Sequence, residues 1–322
     1  MPASVLVIGT YVQDLAFRCE HAPAAGESVV GTVALAAGGK GFNQAVAVQR
    51  AGVPAMFVGA TGRDAFAGNA RAFCRAAGLR ARLVVKPGHA TAAAAVVLDR
   101  TGQNRIVVAL GAGARLRPVD VPAAAIRAAR VVVCQHEANP AVNTHVLRAA
   151  RRAGATTMLN PAPMRADLAA RDLRDVDVLT PNETEFAALI RALVPDRKAF
   201  TADKLPALAP AALHALCRRL GVPAVIVTLG ARGVFVSQAA GHTFIRAHRV
   251  RVVDTTGAGD AFNGGLAAGL VKFSGDLVAA ARLGNAVAAL SVTCPGAAPA
   301  MPTVREIAHF LRRERVVLPT SP

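Results

Sequence analysis

Short apolar runs alternate with longer helical patterns along most of the chain. Six runs have the length and composition of buried strands, at 4–8, 55–58, 131–134, 156–159, 176–179 and 224–228. Helices are predicted over 41–50, 65–77, 140–153, 183–193, 210–220, 258–271, 276–292 and 304–313. Because apolar strands that alternate with helices are typical of parallel sheets, this order predicts a doubly wound, mostly parallel α/β fold. One domain is expected to span 1–322.

The stretches 15–36 and 91–110 lack this pattern and combine alternating Val and Ala residues with turn residues. Each is predicted to form a pair of strands outside the main sheet. Ligands of open α/β sheets bind at the carboxyl ends of the strands, so a small β-sheet beside that edge is expected to act as a lid. Open strand edges can pair with a second copy, which predicts a homodimer through the lid.

The composition favours a compact chain and disfavours nucleic acid as a partner. Hydrophobic residues make up 53% of the chain and charged residues 18%, which is enough apolar material for a sizeable core. The net charge is +17, but the arginines are scattered in pairs, as on a solvated surface that attracts anionic substrates. Aromatic residues are only 4% with no Trp, so stacking platforms for single strands are scarce.

The cysteines and the N-terminus predict a cytoplasmic protein. The five cysteines are dispersed with no C-x-x-C pair, which fits a reducing compartment and argues against a disulfide framework or a zinc site. No signal-peptide pattern opens the chain. No run of about 18 apolar residues is present to cross a membrane.

The segment 253–265, VDTTGAGDAFNGG, carries the strongest local signal for chemistry. Gly257 and Gly259 stand where an extended segment turns into an apolar helix, so free N–H groups and the helix dipole would form an anion hole there. Asp260 would then place a carboxylate where it can take a proton from an attacking hydroxyl. The simpler alternative is that Asp260 only caps the helix. The segment is not a dinucleotide fingerprint, and the chain has no Walker P-loop.

The segment 38–47, GGKGFNQAVA, is a second glycine cluster at the start of a helix. Glycines let a ligand approach the backbone closely. Lys40 supplies a donor, and Asn43 supplies both a donor and an acceptor for a polyhydroxyl substrate. The alternative interpretation is a tight strand-to-helix turn with a solvent-exposed Lys40.

In this order, the two segments resemble the signatures of the ribokinase family of carbohydrate kinases, the phosphofructokinase B type. Three further segments fall in the family's order: 160–163 (NPAP), 181–185 (PNETE) and 228–233 (TLGARG). The resemblance covers essentially the whole chain. It implies a ribokinase-like fold and ATP-dependent phosphorylation of the primary hydroxyl of a sugar, with ribose as the expected acceptor.

The resemblance also implies roles for single residues in catalysis and nucleotide binding. Asp260 would be the base, and the amides of the turn before it would surround the transferred phosphoryl group; that turn is Gly257, Ala258 and Gly259. Glu185 would bind Mg²⁺ through water. The residues expected to contact ATP are Asn182, Thr228, Gly230, Gly233, Gly259 and Asn285.

Two more sets follow from the same resemblance. The residues expected to contact the sugar are Asp14, Gly39, Lys40, Gly41, Asn43, Glu137 and Asp260. Those expected to hold K⁺ are Asp254, Thr256 and Gly296. Taken singly, Asp14 and Glu137 are also compatible with ordinary loop carboxylates.

Three departures from the family pattern bear on specificity. Val12 replaces an Asn that binds a hydroxyl, Gly113 replaces an Asn near the lid, and Ala300 replaces a hydroxyl residue near the monovalent cation. Val12 and Tyr11 favour a nucleoside kinase as the alternative, because either side chain could face a base. Fructose and deoxyribose kinases also stay open.

An alternative outside the enzymes is a nucleic-acid-binding or sugar-sensing protein on the same scaffold. Only the net charge supports it. The presence of Asp260, Glu185 and both glycine turns argues against it.

Overall fold

The computed structural model describes residues 3–101 and 103–319. The strands are β1 (Val5–Ile8), β2 (Val12–Cys19), β3 (Gly31–Gly38), β4 (Ala55–Thr61), β5 (Arg80–Val85), β6 (Ala93–Leu98), β7 (Asn104–Ala109), β8 (Val131–Gln135), β9 (Thr156–Asn160), β10 (Val178–Leu179), β11 (Ala224–Thr228), β12 (Gly233–Gln238) and β13 (Gly241–Arg246). The helices are α1 (Lys40–Arg50), α2 (Ala65–Ala76), α3 (Ala123–Ala128), α4 (Pro140–Arg152), α5 (Glu183–Leu193), α6 (Pro210–Arg218), α7 (Ala258–Lys272), α8 (Leu277–Ser291) and α9 (Val304–Arg313).

Nine strands form the main sheet in the order β13-β12-β11-β10-β9-β8-β1-β4-β5. Every neighbouring pair from β11 to β5 is parallel, whereas β12 and β13 add an antiparallel hairpin. Alternate side chains of β1 enter different cores: Val5 and Val7 pack with α1, α7 and α8, and Leu6 and Ile8 pack with α4, α5 and α6. The predicted doubly wound, mostly parallel fold is confirmed.

Three strands of the main sheet and the short helix α3 were not predicted. β5 has the sequence RARLVV and lies exposed at one edge, so it never forms an uninterrupted apolar run. At the other side of the sheet, β13 is the edge strand, and only its alternate residues are partly buried, whereas β12 lies between β11 and β13 and is almost fully buried. The strand predicted over 176–179 is shorter, at Val178–Leu179.

The second sheet has four strands in the order β3-β2-β6-β7. It is built from the two stretches predicted to lie outside the main sheet, although β2 begins earlier than expected, at Val12. Asp14 therefore lies within a strand and not in the preceding loop. No helix in the described part of the chain is long and apolar enough to span a bilayer.

Helices α1 and α7 pack closely and begin at the carboxyl edge of the main sheet. A Cβ at Gly264 would lie 2.4 Å from Cβ of Ala47, so only a glycine lets the two helices approach this far. Their contact brings together two residues that are far apart in the chain, Lys40 and Asp260.

Candidate active site

Helix α7 begins at the glycine turn predicted to bind an anion. Gly257 is the N-cap residue, in the left-handed conformation with φ 75°, which residues with a side chain adopt at a cost. Around Gly259, no described atom outside its own turn lies within 4 Å of the position of a Cβ. Open space therefore adjoins the start of α7, where the N–H of Ala258 donates to the carbonyl of Thr255 (3.2 Å) and the N–H groups of Gly257 and Gly259 have no partner within the described residues.

Asp260 lies in the first turn of α7 but forms hydrogen bonds to another helix. Its Oδ2 accepts from Asn43 Nδ2 (2.9 Å), and its Oδ1 accepts from Gln44 Nε2 (2.9 Å). The N-cap of α7 is Gly257, without a side-chain capping bond. The capping alternative for Asp260 is therefore not supported.

The surroundings of Asp260 suit a group that accepts a proton. The side chain is 6% exposed, and this burial raises the pKa of Asp260, while the Lys40 ammonium and the bonds from Asn43 and Gln44 act in the opposite direction. A carboxylate with a raised pKa is a better base than one in water.

Lys40 is the first residue of α1, and its ammonium lies among carboxylates. Burial acts to lower the pKa of Lys40, but Asp260, Glu137 and Glu185 outweigh burial, so the pKa is raised. Lys40 is therefore charged at neutral pH. The Lys40 ammonium is attracted by Glu137 on the predicted sugar side and by Glu185 on the predicted nucleotide side.

Glu137 follows β8 and faces the start of α1. It accepts hydrogen bonds from the backbone N–H of Lys40 (2.9 Å) and from the hydroxyl of Thr10. Burial raises the pKa of Glu137. These bonds and this burial show that Glu137 is not an ordinary loop carboxylate.

Burial, and then the charge of Glu137, raise the pKa of Asp14 to about 6. Its carboxylate covers the backbone of Gly38, where a Cβ would lie 2.1 Å from Oδ2. Asn43 is also placed to contact a ligand, since its buried Oδ1 has no hydrogen-bond partner within the described residues.

The remaining predicted sugar residues lie at the junction of β1 and α1. Gly39 is the N-cap of α1 with φ 95°. Gly41 is buried against Gly9, where a Cβ would lie 2.7 Å from the Gly9 Cα. These glycines let α1 pack against the end of β1, and their contact with a sugar stays a prediction.

Val12 and Tyr11 point in different directions. Val12 lies on the same face of β2 as Asp14, two residues on, and packs with Ala92 and Ala94. Tyr11 is buried against Phe42 with ring centroids 5.0 Å apart, and its hydroxyl donates to Gln13 Oε1 (2.9 Å). The expectation that Tyr11 could face a base is wrong, because its ring is part of the core.

Asn182 and Glu185 form the capping box of α5. Asn182 Oδ1 accepts from the N–H of Glu185 (2.8 Å), and Glu185 Oε2 accepts from the N–H of Asn182 (2.9 Å). Asn182 also forms a β-bridge to Thr228, which precedes the turn at Gly230 and the start of β12 at Gly233. Four predicted nucleotide residues therefore lie together at one edge of the sheet.

Asn285 lies in α8 and adjoins that group through Arg246, which pairs with Gly233 across β12 and β13. It is buried, and its Nδ2 donates to the carbonyl of Arg246 at the end of β13 (2.8 Å). This bond holds the strand end against α8. Contact between Asn285 and adenine stays a prediction.

Asp254 joins the two loops predicted to hold a monovalent cation. Its Oδ1 accepts from the N–H (2.9 Å) and hydroxyl (2.7 Å) of Thr256, and its Oδ2 accepts from the N–H of Gly296 (2.8 Å). Burial raises the pKa of Asp254, but these bonds outweigh burial and lower it. Ala300, in the same region of the chain as Gly296, offers no hydroxyl.

Residues 2–304 match the family model for the pfkB family carbohydrate kinases. The chain belongs to this family. Ribokinase of Mus musculus is 33% identical over 312 residues, which cover 95% of this chain and 94% of the mouse protein. Ribokinase of Haemophilus influenzae is 32% identical over 315 residues, or 97% and 99% of the two chains. The structure of Arabidopsis thaliana ribokinase complexed with ribose and ATP has a TM-score of 0.84 at 29% identity, covering 97% of this chain and 99% of that one.

As a pfkB family member, the chain is an ATP-dependent sugar kinase, and its site contains residues to which the sequence analysis gave no role. Thr10 bonds Glu137 directly after β1, and Gln135, the last residue of β8, supports Gln44. Asn160 and Asn263 continue this buried network. Gln135 and Asn160 are polar residues that end buried strands. This sequence signal could have predicted that both lie at the site.

Proposed function

We propose that this pfkB family kinase transfers the γ-phosphoryl group of ATP to the primary hydroxyl of ribose. The buried Asp260 carboxylate beside the glycine turn of α7 is the observation that carries the proposal. Lys40 lies close to it, and Asp14 and Glu137 lie on the acceptor side. The relatives described above are ribokinases, and one of their structures holds ribose and ATP.

The reaction would use these groups in one concerted step. The acceptor oxygen forms a bond to the γ-phosphorus as Asp260 takes its proton, the bond from the γ-phosphorus to the bridging oxygen breaks, and ADP leaves. The N–H groups of the turn at 257–259 and the Lys40 ammonium stabilise the charge on the phosphoryl oxygens. The second sheet would exclude water as a lid, which limits hydrolysis of ATP.

The acceptor side can bind several hydroxyls. Asp14 has a carboxylate without a donor from the described residues, and Asn43 has an unpaired Oδ1, so both can accept from a ribose ring. Val12 cannot. The loss of one such bond costs about three- to tenfold in affinity, so we expect only modest discrimination between ribose and 2-deoxyribose.

The oxygen donors near α5 fit Mg²⁺, which binds few carboxylates and keeps most of its water. No group of three or more His, Cys, Asp or Glu in the described part of the chain could hold a metal alone. Glu185 would hold Mg²⁺ through water, and the cation would neutralise charge on the β- and γ-phosphates. We also propose K⁺ beside the loops joined by Asp254.

The second sheet and the cysteines bear on the assembly of the protein and on its compartment. The second sheet has open edges at β3 and β7, which supports a homodimer through the lid. All five cysteines are free thiols, and three of them are buried, which supports a cytoplasmic location.

A coupled assay of ADP release tests the acceptor. We expect kcat/KM for ribose to exceed that for fructose and for adenosine by at least about tenfold, the consequence of 1.4 kcal/mol of differential transition-state binding. A preference for adenosine over ribose would contradict the assignment of ribose as the substrate. It would not contradict membership of the pfkB family.

A further inference from the structure

Two buried glutamines lead from Asp260 into the protein interior. Gln44 Nε2 donates to Asp260 Oδ1 (2.9 Å), and Gln135 Nε2 donates to Gln44 Oε1 (2.7 Å). Both glutamines are 0% exposed. Asn143 Nδ2 in turn donates to the backbone carbonyl of Gln135 (2.7 Å). The carboxylate is therefore supported in sequence by α1, β8 and α4.

The charge of Asp260 determines the direction of these bonds. An ionised carboxylate only accepts, so Gln44 must present its NH₂ group to Asp260 and its carbonyl to Gln135. Gln135 must then present its own NH₂ group, and its Oε1 has no partner within the described residues. An unpaired buried acceptor costs free energy. The glutamines are thus oriented to satisfy the carboxylate at the expense of Gln135.

Gln44 also connects Asp260 to the glycine turn. Its Nε2 lies 3.2 Å from Asn160 Oδ1, and Asn160 Nδ2 donates to the carbonyl of Thr180 (3.0 Å). The Thr180 hydroxyl donates to Asn263 Oδ1 (2.5 Å), and Asn263 Nδ2 donates to the carbonyl of Gly259 (2.8 Å). Because Gly259 directly precedes Asp260, these bonds close a ring that joins the carboxylate to the turn.

We propose that Gln44 is a positioning residue for phosphoryl transfer, which fixes the Asp260 carboxylate relative to the turn at 257–259, with Gln135 holding Gln44 in place. The proposal rests on the proposed role of Asp260 as the base. Gln44 differs from its neighbour Asn43, because all its hydrogen bonds are made to protein groups and none of its polar atoms is left for the sugar.

Loss of Gln44 has a consequence that can be measured. A hydrogen bond to the ionised form of a carboxyl group favours that form, so removing it raises the pKa of Asp260. The charged groups that face Asp260 are Lys40 at the start of α1, Glu137 after β8 and Glu185 in α5. All three stay in place when Gln44 is replaced, so a changed titration reports on Gln44 itself.

The test is the pH dependence of kcat for Gln44→Met, which keeps the length of the side chain but cannot donate. We expect kcat at neutral pH to fall about 10- to 100-fold, as for loss of a hydrogen bond to a charged group. The acidic limb of the profile should move up by about one pH unit. Gln135→Met should move the limb in the same direction by less, because it leaves the bond between Gln44 and Asp260 in place.

Gln49→Met is the matched control. Gln49 lies in the same helix, and its Oε1 accepts from the N–H of Ala55 (3.0 Å), so this change removes a structural bond and should leave the acidic limb unmoved. A Gln44→Met enzyme with an unmoved limb, whether or not kcat is reduced, would overturn the proposal. If Gln44→Met does not fold, an unmoved limb in Gln135→Met overturns it.

Failure of this proposal is distinguishable from failure of the base assignment. An inactive Asp260→Asn together with a fully active Gln44→Met rejects only the role of Gln44. An active Asp260→Asn rejects the base itself.

Discussion

Asp14 is a residue whose carboxylate the protein itself does not satisfy. Burial and the neighbouring Glu137 raise the pKa of Asp14 to about 6, above the ordinary value near 4 for an unfolded chain. Below that ordinary value Asp14 is protonated in both the folded and the unfolded protein, so the raised pKa does not change the free energy of unfolding. As the pH rises through about 6 the folded protein loses the stability that protonated Asp14 provides. This is the pattern of a residue that serves binding at the expense of stability.

Asp14→Asn is therefore expected to stabilise the protein while it weakens sugar binding. Near pH 7.5 the free energy of unfolding should rise by about 1 to 2 kcal/mol, a figure that discounts the pKa difference for solvent around this half-buried group. The gain should shrink as the pH falls through about 6 and vanish near pH 4. Urea denaturation at several pH values measures it, and a stability at pH 7.5 below that of the wild type would refute this account of Asp14.

At the residue scale, the two glycine clusters pointed to Asp260, Lys40 and Asn43 because each lies in a glycine turn that opens a helix, whereas Glu137 was named only through the family resemblance. The motifs could not reveal that Gln44 and Asp260 share a hydrogen bond, since the two residues are 216 positions apart. Tyr11 was misjudged for a related reason: the sequence could not show that its ring packs against Phe42 in the core and that its hydroxyl bonds Gln13.

Among the elements, the first turn of α7 separates the effects of two glycines. Gly257 needs its left-handed backbone, and a Cβ there would lie 2.9 Å from Cβ of Ala297. Gly259 has no such constraint. The requirement for glycine at Gly259 would come only from a phosphate that approaches the turn.

Gly259→Ala should consequently reduce activity without reducing stability. We expect kcat/KM for ATP to fall at least about tenfold as the new methyl group enters the anion hole, whereas the free energy of unfolding should stay equal or rise by up to about 1 kcal/mol. Gly257→Ala, the companion variant, should lose about 1 to 2 kcal/mol of stability. Steady-state kinetics and thermal unfolding measure both. Unchanged kinetics in Gly259→Ala would show that no phosphate group binds at this turn.

The parallel strands of the main sheet were predictable from sequence because both of their faces are buried, which makes them short apolar runs. β5 and β13 were not, since an edge strand buries fewer residues and tolerates charges such as Arg80 and Arg82. β12 was also missed, although it is buried and lies inside the sheet. Helix starts were predictable to within a few residues for a different reason: Asn182, Asp276 and Thr303 are capping residues that mark the starts of α5, α8 and α9.

On the scale of the whole molecule, one face of the second sheet is apolar and exposed. Phe17, Val33, Leu35 and Val107 lie on it, and Asp14 points to the opposite face. Exposed apolar faces of this kind mark interaction sites. A second copy that covers this face would leave the Asp14 side free to bind the sugar.

We expect the wild-type chain to be a dimer at micromolar concentration, and Leu35→Lys to shift the equilibrium towards monomer by placing a charge in the interface. Val119→Lys, at an exposed apolar residue outside the sheet, should leave the dimer unchanged. Sedimentation equilibrium measures the masses. A wild-type chain that is monomeric over this range would exclude a dimer through the lid.

Phosphoryl transfer as proposed depends on Asp260 as the base, and the turnover of Asp260→Asn tests this role most directly. Asp276→Asn is the control, because Asp276 caps α8 by accepting from the N–H groups of Val278 and Ala279 (both 3.0 Å). We predict that Asp260→Asn lowers kcat by roughly two to four orders of magnitude with nearly unchanged ATP affinity, and that Asp276→Asn keeps wild-type turnover. An Asp260→Asn enzyme that retains more than about a tenth of wild-type kcat, a loss far below that of a general base, would contradict the account.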